Sequence, residues 1–312
     1  MVSIIIPTFN EQDNLGIFYQ RLKAVADNIR QREFEFIFVD DGSVDDTPNI
    51  LQNLHSKDNR VKIIRFARNC GGHAALSAGL HFCAGDCAIT LACDLQDPPE
   101  LINPLLDQWA TGSKVVWAVR SKREGESLSV RIFSKIYYGL INRFTNIKMP
   151  RLGADVFLAD RVVLEAFKKM PEKHSSAYMA IAWLGFPQGS IDYVKESRQH
   201  GQSKWTLAKK IKLVIDSLLS FSDVFIRAMS IFGFLMALAG FVYALCIVFR
   251  YFFFGIPGQG WPSLIVAIFV LGGIQMMMLG LLGEYIWRTF DESRKRPQFV
   301  VEYTKGIDAT ST

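Results

Sequence analysis

A chain of 312 residues has room for one large domain or two modest ones, and half of it is hydrophobic, a high share for a soluble protein. The formal net charge of +5 is too modest to point to nucleic acid. The opening MVSIIIPTFNEQ lacks the basic lead and cleavage site of a signal peptide.

Short β-prone runs recur at Val2–Pro7, Phe36–Val39, Val61–Phe66, Cys87–Ala92 and Val115–Val119. Helix-length segments lie between the early ones, at about Asn14–Arg30, Thr47–His55 and Gly72–Cys83. Strands alternating with helices, each strand almost continuously apolar, predict an α/β domain with a mostly parallel sheet covered on both faces. Such sheets bind ligands beyond the carboxyl ends of their strands, so the loops there carry the chemistry. No GxGxxG or GxxxxGK[ST] follows any strand, which disfavours dinucleotide dehydrogenases and P-loop enzymes. The loops are instead polar and acidic: Pro7-Thr8-Phe9-Asn10-Glu11, then Asp40-Asp41-Gly42-Ser43, then Arg68-Asn69-Cys70-Gly71-Gly72-His73, then Asp94-Leu95-Gln96-Asp97-Pro98-Pro99. Helix capping accounts for Asp46 or Thr47, and turns account for the glycines. Neither accounts for acids at the ends of three strands. The five cysteines form no CxxC pair and read as small buried residues in a reducing compartment.

Toward the C-terminus the composition changes. Trp205–Phe225 reads as an amphipathic juxtamembrane helix, with Leu207, Ile211, Val214, Ile215, Leu218 and Leu219 on one stripe and lysines off it. Residues 228–254 and 263–287 carry one charge each, Arg250 and Glu284, and each is long enough to span a bilayer. The link between them, about Gly255–Pro262, has no Lys or Arg, whereas both outer flanks are basic. The positive-inside rule therefore puts both termini in the cytoplasm and the short loop outside. The organisation read from sequence is a globular domain over 1–204, the juxtamembrane helix over 205–227, two spans over 228–288 and a basic cytoplasmic tail over 289–312.

The strings SIIIPTFNE, VDDGSVDDT, the glycine-containing stretch Arg68–Gly79, DLQDPPEL and RQHGQSKW, in this order and spacing, resemble glycosyltransferase family 2. Within it they resemble the polyprenyl-phosphate glycosyltransferases, which include dolichyl-phosphate mannose synthases and bactoprenol glucosyltransferases. GLLGEYIWR and RKRPQF resemble the second branch, so the likeness covers essentially the whole chain. It implies a GT-A nucleotide-sugar-binding domain and an inverting transfer of a hexose to polyprenyl (undecaprenyl) phosphate at the cytoplasmic membrane face. UDP-glucose is the first donor it suggests, with other UDP-sugars and GDP-mannose behind. Implied partners are the nucleotide-sugar donor, the polyprenyl phosphate and membrane lipids. A homo-oligomer such as a tetramer fits the glycines of the second span (Gly272, Gly273, Gly280, Gly283), and a downstream flippase fits the pathway.

The same resemblance assigns roles. Pro7, Glu11 and one or both of Asp40 and Asp41 would meet the donor nucleoside, with Phe9 also among the nucleotide-sugar-binding residues. Asp94 and Gln96 would hold a divalent metal, Mg or Mn, on the donor diphosphate, and Asp94 would also touch the nucleotide sugar. Asp155 falls where the family has an acid near the acceptor; with Asp94 and Arg198 it completes the implied catalytic set. Arg198, Ser203 and Lys204 would meet phosphate groups; Arg131 and Ser134 loosely match phosphate-binding positions after the fifth strand, with Arg120 and Arg123 as alternatives. An acceptor phosphate is already anionic near neutral pH, so Asp155 orients it or serves as base. Two positions depart from the family pattern. Ala92 stands where Asp-x-Asp-x-Gln has its first acid, and Val156-Phe157 stand where relatives often have an aromatic residue and Arg. Ala92 leaves three readings open: an enzyme with a thinner metal shell, a chain inactivated by substitution, or a silent scaffold that binds nucleotide-sugar and lipid carrier. A processive polysaccharide synthase would bring a QxxRW string and more spans than this sequence has.

Overall fold

The computed structural model describes residues 1–122, 139, 145, 147, 150, 154–170, 176–195, 224–254 and 260–307. In chain order the elements are β1 (Val2–Thr8), α1 (Gln12–Asn28), β2 (Phe34–Asp40), α2 (Thr47–Lys57), β3 (Val61–Phe66), α3 (Gly72–Phe82) and β4 (Cys87–Thr90). A 3-10 turn (Pro99–Leu101) and α4 (Ile102–Ala110) lead to β5 (Val115–Lys122), β6 (Ala154–Asp160), α5 (Arg161–Lys168), α6 (Ala177–Trp183) and β7 (Gln188–Val194). Two long helices, α7 (Val224–Phe254) and α8 (Trp261–Ser293), precede β8 (Val301–Lys305).

The strands form one mixed sheet in the order β7-β5-β6-β4-β1-β2-β3-β8. β1, β2, β3 and β4 run parallel, while β6 is antiparallel to both of its neighbours and β8 is antiparallel to β3. The central strands form because their apolar runs are buried on both faces. Ile4, Ile5, Ile6, Phe36, Ile37, Phe38 and Val39 are all fully buried, each contributing roughly 1.5–3 kcal/mol of transfer free energy. α3 lies close on the sheet at Gly79, where a Cβ would come within 2.2 Å of the Ile5 side chain. Cys83, Cys87 and Cys93 are buried, and burial pushes the Cys83 and Cys87 thiols up to about 12, as inert core residues require.

The sheet unit comprises residues 1–218 and 297–312, and the apolar hairpin residues 219–296. Within the hairpin, Ile226–Ile247 and Ala267–Ser293 are long and apolar enough to cross a membrane. Arg288 donates to Glu284 one turn back, at 3.2 Å. Helix α7 starts before, and α8 ends after, the apolar stretches read as spans from the sequence. The sequence reading also ran β4 to Ala92, two residues past its end at Thr90, and gave no strand to β6, β7 or β8. The segment read as a basic tail contains β8, which pairs with β3 at the edge of the sheet. Of the juxtamembrane helix read over Trp205–Phe225, only its last two residues, the start of α7, fall within the described residues.

Candidate active site

Topology gathers the polar residues. The carboxyl ends of β1, β2, β3, β4 and β5 share one edge of the sheet. Because β6 is antiparallel, with Ala154 opposite Val119, its first residues reach that same edge. β7 runs parallel to β5, so Tyr193 and the following Lys195 emerge there too. β8 enters the sheet there as well, Val301 lying opposite Phe66 at the end of β3.

On the β1–β3 side, three loops are laced together. Asn10, in a left-handed conformation at φ 52°, donates its N–H to Ser43 Oγ at 2.9 Å, and Val44 N–H donates to Asn10 Oδ1 at 2.9 Å. Glu11 N–H donates to Thr47 Oγ1 at 2.9 Å. Asp41 accepts from the N–H groups of Cys70 and Gly71 at 2.6 and 2.9 Å, tying the β2 loop to the β3 loop. Burial is the main influence on the Asp41 carboxyl and lifts it above the usual carboxylate value, against those two donors. Asp40, 1% exposed, accepts from Ser43 N–H at 2.9 Å and pairs with Arg65. Gly42 makes the turn possible: its φ is +72°, and a Cβ would meet Arg68 C at 2.9 Å. Both acids thus shape the floor on which Pro7, Phe9 and Glu11, all part-exposed, are displayed.

Beyond β4, burial alternates along the chain. Cys93, Leu95 and Asp97 are buried, while Ala92, Asp94 and Gln96 share the part-exposed side. Asp94 Oδ1 accepts from Gln96 N–H at 3.2 Å, and Leu95 takes φ 60° to make the bend. Asp94 and Gln96 are thus two part-exposed residues with hard oxygen atoms in one short loop. Among the described residues no group of three or more His, Cys, Asp or Glu forms a metal cage. One carboxylate and one amide still suit a small divalent ion, which is commonly held by one or two carboxylates together with substrate phosphates.

A charged cluster adjoins this loop. Asp155 Oδ2 pairs with Arg120 and lies 2.6 Å from Lys195 Nζ; its side chain is 32% exposed. Lys195 also lies 3.8 Å from Asp97 Oδ1, which accepts from the Tyr193 hydroxyl at 2.5 Å. Burial, with the Asp97 charge behind it, raises the Tyr193 hydroxyl far above its usual value. The Tyr178 hydroxyl donates to the Asp155 backbone carbonyl at 2.8 Å. The acid read as acceptor-side is thus linked through Lys195 and Asp97 to the loop that carries Asp94.

Of the residues singled out in the sequence, Pro7, Phe9, Glu11, Asp40, Asp41, Asp94, Gln96, Arg120 and Asp155 are brought to this one edge. Arg123, Arg131, Ser134, Arg198, Ser203 and Lys204 lie outside the described residues; Arg198 follows Lys195 by three positions. Sequence reasoning missed Lys195, Tyr193, Asp97 and Arg65. Asp97 lies inside the DLQDPPEL string, which was signal enough; Lys195 in YVKESRQ has no local signal.

The family profile described as Glycosyl transferase family 2 matches residues 3–167. The chain is 37% identical over 306 residues to the uncharacterized glycosyltransferase YkcC of Bacillus subtilis (strain 168), covering 98% of this chain and 94% of that protein. It is 35% identical to the prophage bactoprenol glucosyl transferase homolog of Escherichia coli (strain K12), covering 97% of this chain and 99% of that one. It is 34% identical, with the same coverage, to the bactoprenol glucosyl transferase of Shigella phage SfV. An acidic-edged α/β sheet of this order and relatives matched along nearly their whole length lead to one conclusion: the chain belongs to glycosyl transferase family 2 and is a glycosyltransferase.

Proposed function

We propose that the enzyme transfers a hexose, glucose from UDP-glucose in the first instance, to undecaprenyl or a related polyprenyl phosphate at the cytoplasmic membrane face, with inversion. The observation that carries this reading is the junction of Asp155 with Arg120 and Lys195 beside the Asp94 loop. An anionic acceptor needs cations to receive it and an acid to orient it, while the donor diphosphate needs a separate site nearby. The names of the relatives from Escherichia coli and Shigella phage SfV support the bactoprenol acceptor and the glucosyl group.

Chain topology supports the membrane placement. The segments before and after the hairpin both belong to the sheet unit, so an even number of crossings separates them. β7 ends and β8 begins at the carboxyl edge of the sheet. A polyprenyl phosphate acceptor calls for a membrane-anchored enzyme, because pulling a lipid tail out of the bilayer costs about 0.8 kcal/mol per CH₂. The basic flanks favour the cytoplasmic side.

The chemistry asked of the protein is mostly positioning. The phosphate oxygen of the acceptor attacks the anomeric carbon in line, displacing the nucleoside diphosphate and inverting the centre. Arg120 and Lys195 would steady the acceptor phosphate while Asp155 fixes their geometry. Asp94 and Gln96 would hold Mg²⁺ or Mn²⁺, which when bound neutralises charge on the leaving diphosphate. The loops around Gly42 and Asn10 would seat the nucleoside.

The test is turnover by the full-length protein in lipid nanodiscs, given undecaprenyl phosphate, Mg²⁺ or Mn²⁺ and a panel of labelled nucleotide-sugars. A β-linked glucosyl lipid formed from UDP-glucose supports the reading; no lipid product from any donor overturns it. Ala92 favours a second reading, a silent binder of donor and lipid carrier. Donor binding without turnover, persisting in Ala92→Asp, would establish that one instead.

A further inference from the structure

We infer that the C-terminal strand is a working part of the donor site, with Glu302 a positioning residue that acts through Arg65 on the turn between Asp40 and Ser43. The inference rests on the proposed nucleotide-sugar reading.

One guanidinium carries it. Arg65, on β3, donates from Nε to Glu302 Oε2 at 2.9 Å, pairs through Nη1 with Asp40 Oδ2, and donates from Nη2 to Ser43 O at 3.2 Å. Two of these three acceptors belong to the Asp40–Ser43 turn; the third comes from a strand 237 residues further on. The guanidinium is a rigid planar fork, so fixing one of its edges fixes the direction of the others. Ser43 passes the constraint onward, because its Oγ accepts from Asn10 N–H in the loop after β1. Glu302 thus reaches both donor-side loops through one side chain.

The backbone aims Glu302 at this task. β8 pairs with β3 at Arg65↔Tyr303 and next at Phe66↔Val301, so Glu302 is the extra residue of a bulge. Bulges re-aim a side chain that regular pairing would point elsewhere. The strand does not need the carboxylate to stay in place. Ala67 N–H donates to Val300 O at 2.9 Å, and Phe299 stacks on Phe66 at 5.1 Å with an interplanar angle of 4°. Glu302 is also 51% exposed, and an ion pair so placed contributes little to global stability. Its contribution is therefore separable from folding. β8 is the first strand after the hairpin, so the donor turn is tied to the part of the chain that leaves the apolar helices.

The experiment compares the full-length wild-type protein, Glu302→Gln and Glu302→Asp for UDP and GDP binding by calorimetry with Mn²⁺ present, and for melting temperature. The wild type is expected to bind one of the two. Glu302→Gln is expected to bind that one about three- to tenfold more weakly at unchanged melting temperature, with partial recovery in Glu302→Asp. In turnover the loss falls on the donor KM and spares kcat. Equal binding by wild type and Glu302→Gln overturns the inference and leaves the donor reading standing. A loss of binding that tracks a lowered melting temperature also overturns it, since Glu302 would then be structural. Wild-type protein that binds neither nucleotide overturns the donor reading and the inference with it.

Discussion

Lys195 Nζ lies 2.6 Å from Asp155 Oδ2, so the residue just beyond β7 and the second residue of β6 meet at the carboxyl edge of the sheet. Arg120 shares that carboxylate oxygen, which makes the three side chains one unit. Lys195→Met is expected to lower kcat/KM for the prenyl phosphate by about 10- to 100-fold, the size of one or two charge-assisted contacts. Asp155→Asn should cost a similar amount by leaving both cations misdirected. The Lys195→Met/Asp155→Asn pair should lose less than the sum of the two, as coupled neighbours do. Steady-state kinetics on the four proteins decides it, and strict additivity would show that the pair does not act together.

Gly42→Ala tests the donor side. The φ of +72° is strained for any residue with a Cβ, and the added atom meets the backbone of Arg68 at 2.9 Å and of Asn69 at 3.0 Å. Neither neighbour is a flexible side-chain end, so the turn itself must shift. A cost of roughly 1 kcal/mol or more is expected. Because Asp41 and Ser43 flank the glycine and tie three loops together, nucleotide binding should fall by more than the drop in melting temperature explains. Calorimetric titration beside a thermal melt separates the two effects.

The legible parts of the molecule are those whose signal is local. β1, β2 and β3 are continuous apolar runs because both of their faces are buried, and the acids after them stand out against that background. β7 is an edge strand with only Tyr193 buried, so QGSIDYV gives no apolar pattern to read. β8 is short and pairs with a strand more than two hundred residues earlier, a long-range pairing that no window of sequence contains. Asp155 was legible as a motif but not as part of a strand; the antiparallel run of β6 is what carries it to the site. Lys195 and Arg65 look like ordinary surface cations until the topology supplies their partners. Asp40 and Asp41 read as ligands for a nucleoside, and the structure gives their carboxylates internal partners that build the loops.

Acid sensitivity follows from two histidines. Burial holds the His73 imidazole below its usual 6.5, and burial is likewise the main influence lowering His81. In the window from about 6.5 down to the depressed folded values, the unfolded chain binds more protons than the fold does. Stability contributed this way is intact above pH 6.5 and declines as the pH falls through that window. Asp41, raised by burial, acts with the opposite sign nearer the carboxylate range. The melting temperature should therefore drop between about pH 7 and pH 5, before most carboxylates titrate. His73→Met should flatten part of that slope, and identical slopes in mutant and wild type would assign the effect elsewhere.

Ala92→Asp addresses the thin metal shell. Ala92 shares the part-exposed side of the loop with Asp94 and Gln96, so a carboxylate there would join those two oxygens without burying charge. Leu95, whose positive φ makes the bend, is buried. The substitution should therefore leave the melting temperature near that of the wild type. A third hard oxygen should lower the Mn²⁺ concentration needed for half-maximal turnover by about tenfold, the worth of one contact to a charged group. Larger cations, which tolerate more oxygen ligands, should gain most. The measurement is a metal titration of turnover and of donor binding, in wild type and variant, at saturating acceptor. If the half-maximal concentration does not move, the missing acid is not what limits metal binding, and Asp94 with Gln96 and the diphosphate already complete the shell.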